Sequence, residues 1–237
     1  MNDYEMKVKD VVTVGAVSKA IINETSKWGF KQSDYISLVN DLLDLSLIKP
    51  SNNEPKVETK AKLKRVRLNL PLSGNNIQIK LFDKEKDYQT VVNWLKDDFS
   101  RWFLLSRSYS RDKTFLEMIE DDENVFGIIL LEGSTPIGIM GYLSYDQVNQ
   151  KAEIRKLIGE QKHRGKGYAK EATALWIQYG INNLNLNKIY LNTIENNIRN
   201  VGLNKELGFQ IEGVLRKEIF IDNKYYDVLR MAYIVED

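Results

Sequence analysis

The chain has 237 residues, 43% hydrophobic and 28% charged, with 34 basic and 33 acidic side chains for a net charge of +1. It can therefore bury a full core, and it has no global field for nucleic acid or an anionic membrane. The absence of cysteine and a single histidine, His163, exclude disulfides, thiolate catalysis and Cys- or His-rich metal sites, and argue against a Ser-His-Asp triad. Apolar runs such as Val125 to Leu131 and Pro136 to Leu143 stop short of the roughly 20 residues of a membrane span. The first residues lack the apolar core of a secretory signal, so a cytoplasmic protein is expected.

In chain order, Val14, Val17, Ile21 and Ile22 give a helix over about Val11 to Lys27 that Gly29 stops. A second helix starts near Ser33, with Ser33 or Asp34 to cap it and Ile36, Val39, Leu42, Leu43 and Leu47 on one face, and ends before Pro50. Residues 1–50 thus read as a small helical hairpin that must cover its apolar faces elsewhere, by dimerisation or over a site on the main domain. Residues 51–69 read as a charged linker, a solvated tether rather than a nucleic-acid patch. From residue 70 a strand (Ile77 to Phe82), a helix (about Lys86 to Phe99) and a second helix (near Lys113 to Ile119) precede three strand-like runs, Val125 to Leu131, Pro136 to Leu143 and Ala152 to Ile158. A helix from Tyr168 to about Asn183, a strand from Lys188 to Thr193, a short helix from Ile198 to Leu207 and two final strands, Phe209 to Phe220 and Tyr225 to Val235, complete the pattern.

Between strand and helix lies Lys162-His163-Arg164-Gly165-Lys166-Gly167-Tyr168-Ala169. Two glycines let backbone amides approach a ligand, and the helix N-terminus adds partial positive charge, an arrangement suited to a pyrophosphate. The spacing is neither that of a Walker loop nor that of a Rossmann fingerprint.

Several segments in register carry a family resemblance: Ala152-Glu153-Ile154, Arg164 to Ala169 with Glu171-Ala172, Asn187 to Leu191, Glu195-Asn196-Asn197, Leu207-Gly208-Phe209 and Glu212 to Arg216. From about Leu70 onward the sequence resembles the GNAT superfamily of N-acetyltransferases. The stretch Phe209 to Met231 looks like the branch of ribosomal-protein, spermidine and amino-sugar-nucleotide acetyltransferases. The resemblance implies an α/β (α+β) fold, a mixed and mostly antiparallel seven-stranded splayed sheet flanked by helices, over residues 70–237. It also implies acetyl-CoA as donor, direct attack by the acceptor amine, and no metal.

By that resemblance, amides from His163 through Tyr168 hold the CoA pyrophosphate, and Lys162, Arg164 and Lys166 add charge-assisted contacts. Lys162 stands where the family has Arg or Gln. Leu157 and Ile158 pair with the pantetheine amides like an added strand, and Asn197 matches an asparagine that contacts the pantetheine arm. Glu153 is the candidate base for the attacking amine, with Asp98 and Asp227 in reserve, although an exposed strand Glu has the same local pattern. The family's general acid is a Tyr at the position of Asn204. An amide can donate to sulfur but cannot protonate it, so water, Tyr190 or release of CoA as thiolate must serve.

For the acceptor, the stretch Ser100 to Arg111 holds three Arg and three aromatics. Stacking on Trp102 and clamping by Arg101, Arg107 and Arg111 suit a nucleotide-linked amino sugar. A polyamine or a protein N-terminus is the alternative acceptor, and a non-catalytic acetyl-CoA sensor is the alternative of another class.

Overall fold

The structure is a computed structural model that describes residues 14–47, 65–97, 115–194, 198–221 and 223–235. It divides into two compact units, Met1–Pro50 and Ser51–Asp237. In the first, α1 (Val14–Thr25) runs into a 3-10 turn (Ser26–Trp28) closed by Gly29 at φ 80°, and α2 (Gln32–Leu47) follows. The carboxylate of Asp34 secures the start of α2 by accepting from Lys31 N–H at 2.6 Å. Thr25 Oγ1 donates to Tyr35 Oη at 3.0 Å, joining the two helices.

In the second unit, β1 (Leu72–Ser73) and β2 (Ile77–Leu81) precede α3 (Lys84–Leu95), α4 (Phe115–Glu120), β3 (Val125–Leu131), β4 (Thr135–Asp146) and β5 (Lys151–Ile158). A 3-10 turn (Gln161–His163), α5 (Tyr168–Asn183), β6 (Lys188–Ile194), α6 (Ile198–Glu206), β7 (Gln210–Ile221) and β8 (Lys224–Ile234) complete it. The strands form one sheet in the order β1-β2-β3-β4-β5-β6-β8-β7. Eight strands replace the expected seven; the addition, β1, pairs with β2 through two residues, too few to leave a periodic signal. Helix α3 begins at Lys84 rather than Lys86 because Asp83 Oδ1 accepts from the N–H groups of Glu85 (3.0 Å) and Lys86 (3.3 Å). Among the described residues no helix is long and apolar enough to cross a membrane.

Helices cover both faces of the central strands, which is why β3 and β4 are apolar runs without alternation. On one face Val91 and Trp94 of α3 and Phe115 and Met118 of α4 pack on Phe126, Ile128, Leu130, Ile139 and Leu157. On the other, Trp176 of α5 is fully buried and stacks on Tyr142 at 5.5 Å and on Tyr179 at 4.7 Å, while Tyr142 Oη donates to the Trp176 carbonyl at 2.8 Å. Outermost in the sheet, β7 is interrupted. Its register with β8 shifts between Leu215 and Ile219, and Lys217, at φ 53°, donates its N–H to Asp227 Oδ1 at 2.7 Å.

Adjacent strands are antiparallel except β5 and β6, which the crossover through α5 makes parallel. Their pairing stops after three positions, Lys151 with Lys188, Ala152 with Ile189 and Glu153 with Tyr190. Beyond it β5 stays paired with β4 as far as Ile158, and β6 stays paired with β8 as far as Ile194. The two strands therefore part, and residues 154–158 of β5 keep one edge without a neighbouring strand among the described residues.

Trp176→Ala removes the ring that both tyrosines stack on and leaves a cavity. It is expected to lower the unfolding free energy by ~3–5 kcal/mol, read from urea denaturation; a loss below about 1 kcal/mol would contradict this packing.

Candidate functional site

The fork between β5 and β6 opens toward the turn that leads into α5. In that turn Gly165 and Gly167 take φ 76° and 87°, which a side chain would strain, and a Cβ built at either meets nothing within 4 Å. The N–H groups of residues 165–169 donate to no acceptor among the described residues, while those of Lys170 and Glu171 bond back to the Gly167 carbonyl at 3.0 and 3.2 Å. Five free donors at the head of a sixteen-residue helix form a cradle for a phosphate-sized anion. Lys162 and Lys166 are exposed beside it.

Arg164, expected to add a contact to the anion, is committed elsewhere. Its Nε donates to the Ile158 carbonyl at 2.9 Å, and its Nη2 donates to the Gly159 carbonyl at 3.0 Å and to Asp97 Oδ2 at 2.8 Å. Together with Trp94 Nε1 donating to Glu160 Oε1 at 2.9 Å, it fastens the end of β5 to α3. A shallow pocket of about 340 Å³ lies over this fastening, lined by Asn93, Trp94, Asp97 and residues 159–162. Of the residues expected at the anion site it includes Lys162 alone, so this pocket and the cradle are different places. His163 packs its ring against Tyr168 at 6.0 Å, and the side chains of Leu157 and Ile158 are buried. Any pairing by those two residues would therefore use the backbone.

Glu153, the last residue of β5 paired with β6, is 4% exposed. Its Oε1 accepts from Arg155 Nε and Asn192 Nδ2, both at 2.9 Å, and sits 2.7 Å from Arg155 Nη2. Asn192 Oδ1 in turn accepts from Arg230 Nε at 3.1 Å, and the Arg230 guanidinium lies over the Tyr190 ring at 5.1 Å. Glu153 is thus no exposed strand residue; with Arg155 it is the buried end of a network across β5, β6 and β8. Its Oε2 takes no hydrogen bond from the described residues, which leaves one oxygen of a fixed carboxylate for a proton. Asp227, held by Lys217, is part of the β7 interruption instead.

Asn204 on α6 is completely buried. Its Oδ1 accepts from Lys156 Nζ at 2.5 Å, and its Nδ2 has no partner among the described residues. Lys156 lies on the unpaired stretch of β5, and burial pushes its ammonium from 10.5 down to about 7. Sequence reasoning passed over Lys156 and Arg155 because charged residues on a strand read as solvent-facing; the available signal was their position inside an otherwise apolar run ending Leu157-Ile158. Asn197, Asp98 and the acceptor residues Arg101, Trp102, Arg107 and Arg111 lie outside the described residues.

A forked sheet with an amide cradle at the head of the following helix is an arrangement that can hold a phosphate-bearing molecule along an open strand edge. Residues 77–210 match the family model described as Acetyltransferase (GNAT) domain. The chain belongs to the GNAT acetyltransferase family, and it is an N-acetyltransferase. It is 36% identical over 134 residues to an uncharacterized N-acetyltransferase, p20, of Bacillus licheniformis, covering 52% of this chain and 75% of the relative. It is 28% identical over 139 residues to the spermidine N(1)-acetyltransferase of Escherichia coli K12, covering 59% of this chain and 70% of that enzyme. The crystal structure of spermidine N-acetyltransferase from Vibrio cholerae in complex with CoA and spermine superposes with a TM-score of 0.57 at 26% identity, over 67% of this chain and 95% of the other.

Two predictions follow from the geometry. Arg164→Ala removes a guanidinium that holds two carbonyls and a carboxylate and is expected to cost ~1.5–3 kcal/mol of stability in urea unfolding, with Arg164→Lys recovering less than half because an ammonium lacks the fork. For Lys156, the unfolded chain keeps the proton up to 10.5 and the folded chain releases it near 7. Unfolding between these values takes up a proton, so stability rises with pH across that window and the burial penalty is full below it. The unfolding free energy of wild type should therefore gain on that of Lys156→Met between about pH 6 and about pH 9; a constant difference would contradict the depressed ammonium.

Proposed function

We propose that this chain transfers the acetyl group of acetyl-CoA to a primary amine of a polyamine such as spermidine. The observation that carries the reading is that a sequence relative and a structural relative, each matched over most of its own length, are both named for spermidine acetylation. The nucleotide-linked amino sugar expected from Arg101, Trp102, Arg107 and Arg111 finds no support among the relatives, and the polyamine takes its place. In this reading the N–H groups of residues 165–169 bind the CoA pyrophosphate, with Lys162 and Lys166 adding charge and Arg164 keeping the turn in shape. The open edge of residues 154–158 pairs with the pantetheine amides and directs the thioester into the fork, with Asn197 beside the pantetheine arm.

The chemistry at the fork supports direct transfer. A polyamine reaches the site as an ammonium, which has no lone pair until a proton leaves. Glu153 is the carboxylate at the parting of the strands. With Oε1 fixed by Arg155 and Asn192, its Oε2 takes that proton directly or through one water. Holding the carboxylate by one oxygen orients the other without reorganisation when the amine attacks.

Full-length protein given acetyl-CoA and spermidine is expected to release free thiol, with N-acetylspermidine detected by mass spectrometry. Glu153→Gln, which keeps the shape and can keep the Arg155 contact, is expected to lower kcat by about 10²–10⁴-fold. Turnover on UDP-linked amino sugars or peptide N-termini but not on polyamines would overturn the acceptor assignment. Tight CoA binding with no turnover on any amine would instead favour a sensor.

A further inference from the structure

Lys156 stands three residues beyond the last pairing of β5 with β6, on the stretch whose free edge borders the fork. Its bond to Asn204 Oδ1, 2.5 Å long, crosses from β5 to α6. The cross-strand neighbour on β4 is Met140, and Glu206, the acidic residue at the end of α6, pairs with Lys170 of α5 at 2.5 Å. Among the described residues the only hydrogen-bond partner of this ammonium is thus a neutral amide. Surface lysines avoid such places because the cation loses its hydration. The far side of the same amide, Asn204 Nδ2, is buried and unpartnered, which is costly in a finished protein interior and is relieved when a ligand supplies an acceptor. Among the described residues, a lysine without a counter-ion and an amide with a free donor thus stand side by side at an open strand edge, a donor pair that these residues do not use.

We propose that Lys156 is the acid that protonates the CoA sulfur as it leaves, with Asn204 fixing the ammonium through Oδ1 and supplying Nδ2 as a second donor. This rests on the acetyltransferase reading above. As the acceptor nitrogen forms its bond to the acetyl carbon, the C–S bond breaks and its electron pair passes to sulfur. Lys156 gives that sulfur one proton and becomes a neutral amine. The acceptor ammonium gives a first proton to Glu153, and from there to solvent, before it attacks, and loses a second by the same route as the amide forms; Lys156 regains one proton from solvent before the next turnover, so each transfer releases one proton. Asn204 has no ionisable proton of its own; its part is to hold the group that has one. An ammonium that titrates near neutral pH is matched to this task, since a substantial share is charged there and it releases its proton more readily than a solvated lysine.

The test uses the full chain as wild type, Lys156→Met and Lys156→Arg, with spermidine and acetyl-CoA as the kinetic probes and CoA alone as the binding probe. Lys156→Met is expected to lose about 10²–10⁴-fold in kcat, with KM for acetyl-CoA changed less than about threefold. The wild-type decline in kcat as pH rises above about 7 should be missing in the variant. Lys156→Arg keeps a charge but cannot give up its proton, so it should not restore kcat. Independently of any acceptor, the thiol of bound CoA, followed by thiolate absorbance, should ionise at lower pH in wild type than in Lys156→Met, because the ammonium stabilises the thiolate. If Lys156→Met does not fold, Lys156→Gln, equally without a titrating proton, takes its place. The proposal is overturned if the neutral variant keeps kcat within about threefold, if arginine restores it, if bound CoA ionises identically, or if mass spectrometry finds Lys156 itself acetylated. Should wild type release no thiol with spermidine, the acceptor reading fails, while the thiol ionisation still decides the role of Lys156.

Discussion

The site depends on one feature of strand pairing: β5 stays hydrogen-bonded to β4 as far as Ile158, while β6 leaves it after Glu153 and continues along β8. The three paired positions at Lys151, Ala152 and Glu153 fix where the strands meet, and everything beyond is an edge held open inside the molecule. An unpaired edge in the middle of a sheet is ordinarily a liability, because its N–H and C=O groups need partners. Here it is the surface along which an amide-bearing ligand can lie. The Glu153–Arg155–Asn192–Arg230 network sits at the vertex and joins all three strands involved. Breaking one member of such a buried ion pair costs ~3–5 kcal/mol by stranding the other charge, so the vertex resists both closing and sliding.

A second group of contacts fixes the far end of the opening. Asp97 and Trp94 bring α3 against the turn after β5, and Arg164 clamps the carbonyl of the last residue of that strand, Ile158, and that of Gly159 after it. The cradle of residues 165–169 is therefore carried on a braced turn, and its free amides are preorganised rather than mobile in purpose. An arginine that resembles a phosphate ligand by type and place braces the turn instead, and leaves the cradle to neutral amides.

Much of this was legible in the sequence for identifiable reasons. Helix α5 ends where expected because its boundaries are marked by Gly167 and by the loss of apolar periodicity after Asn183, and β3 was recognisable from its uninterrupted run Val125 to Leu131. Helix α3 starts two residues before the position that the sequence pattern marks, because the carboxylate of Asp83 caps it. Glu153 and Asn204 were picked out, but their partners were not. Arg155 and Lys156 acquire meaning only when β6 and α6 are folded against β5, at sequence separations of 39 residues from Glu153 to Asn192 and 48 from Lys156 to Asn204. Local pattern carries no information about such pairs, because burial of a charge is decided by tertiary packing.

The interruption of β7 has a consequence for how the molecule behaves in a crowd. As the outermost strand on that side of the sheet, β7 offers backbone donors and acceptors to any passing extended chain. The left-handed Lys217, its amide taken by Asp227, and the register shift between Leu215 and Ile219 divide a twelve-residue strand into two shorter stretches that cannot be matched by one straight partner. An aspartate once in reserve for catalysis thereby acts as a guard against runaway strand addition, keeping a long rim from templating fibrous growth.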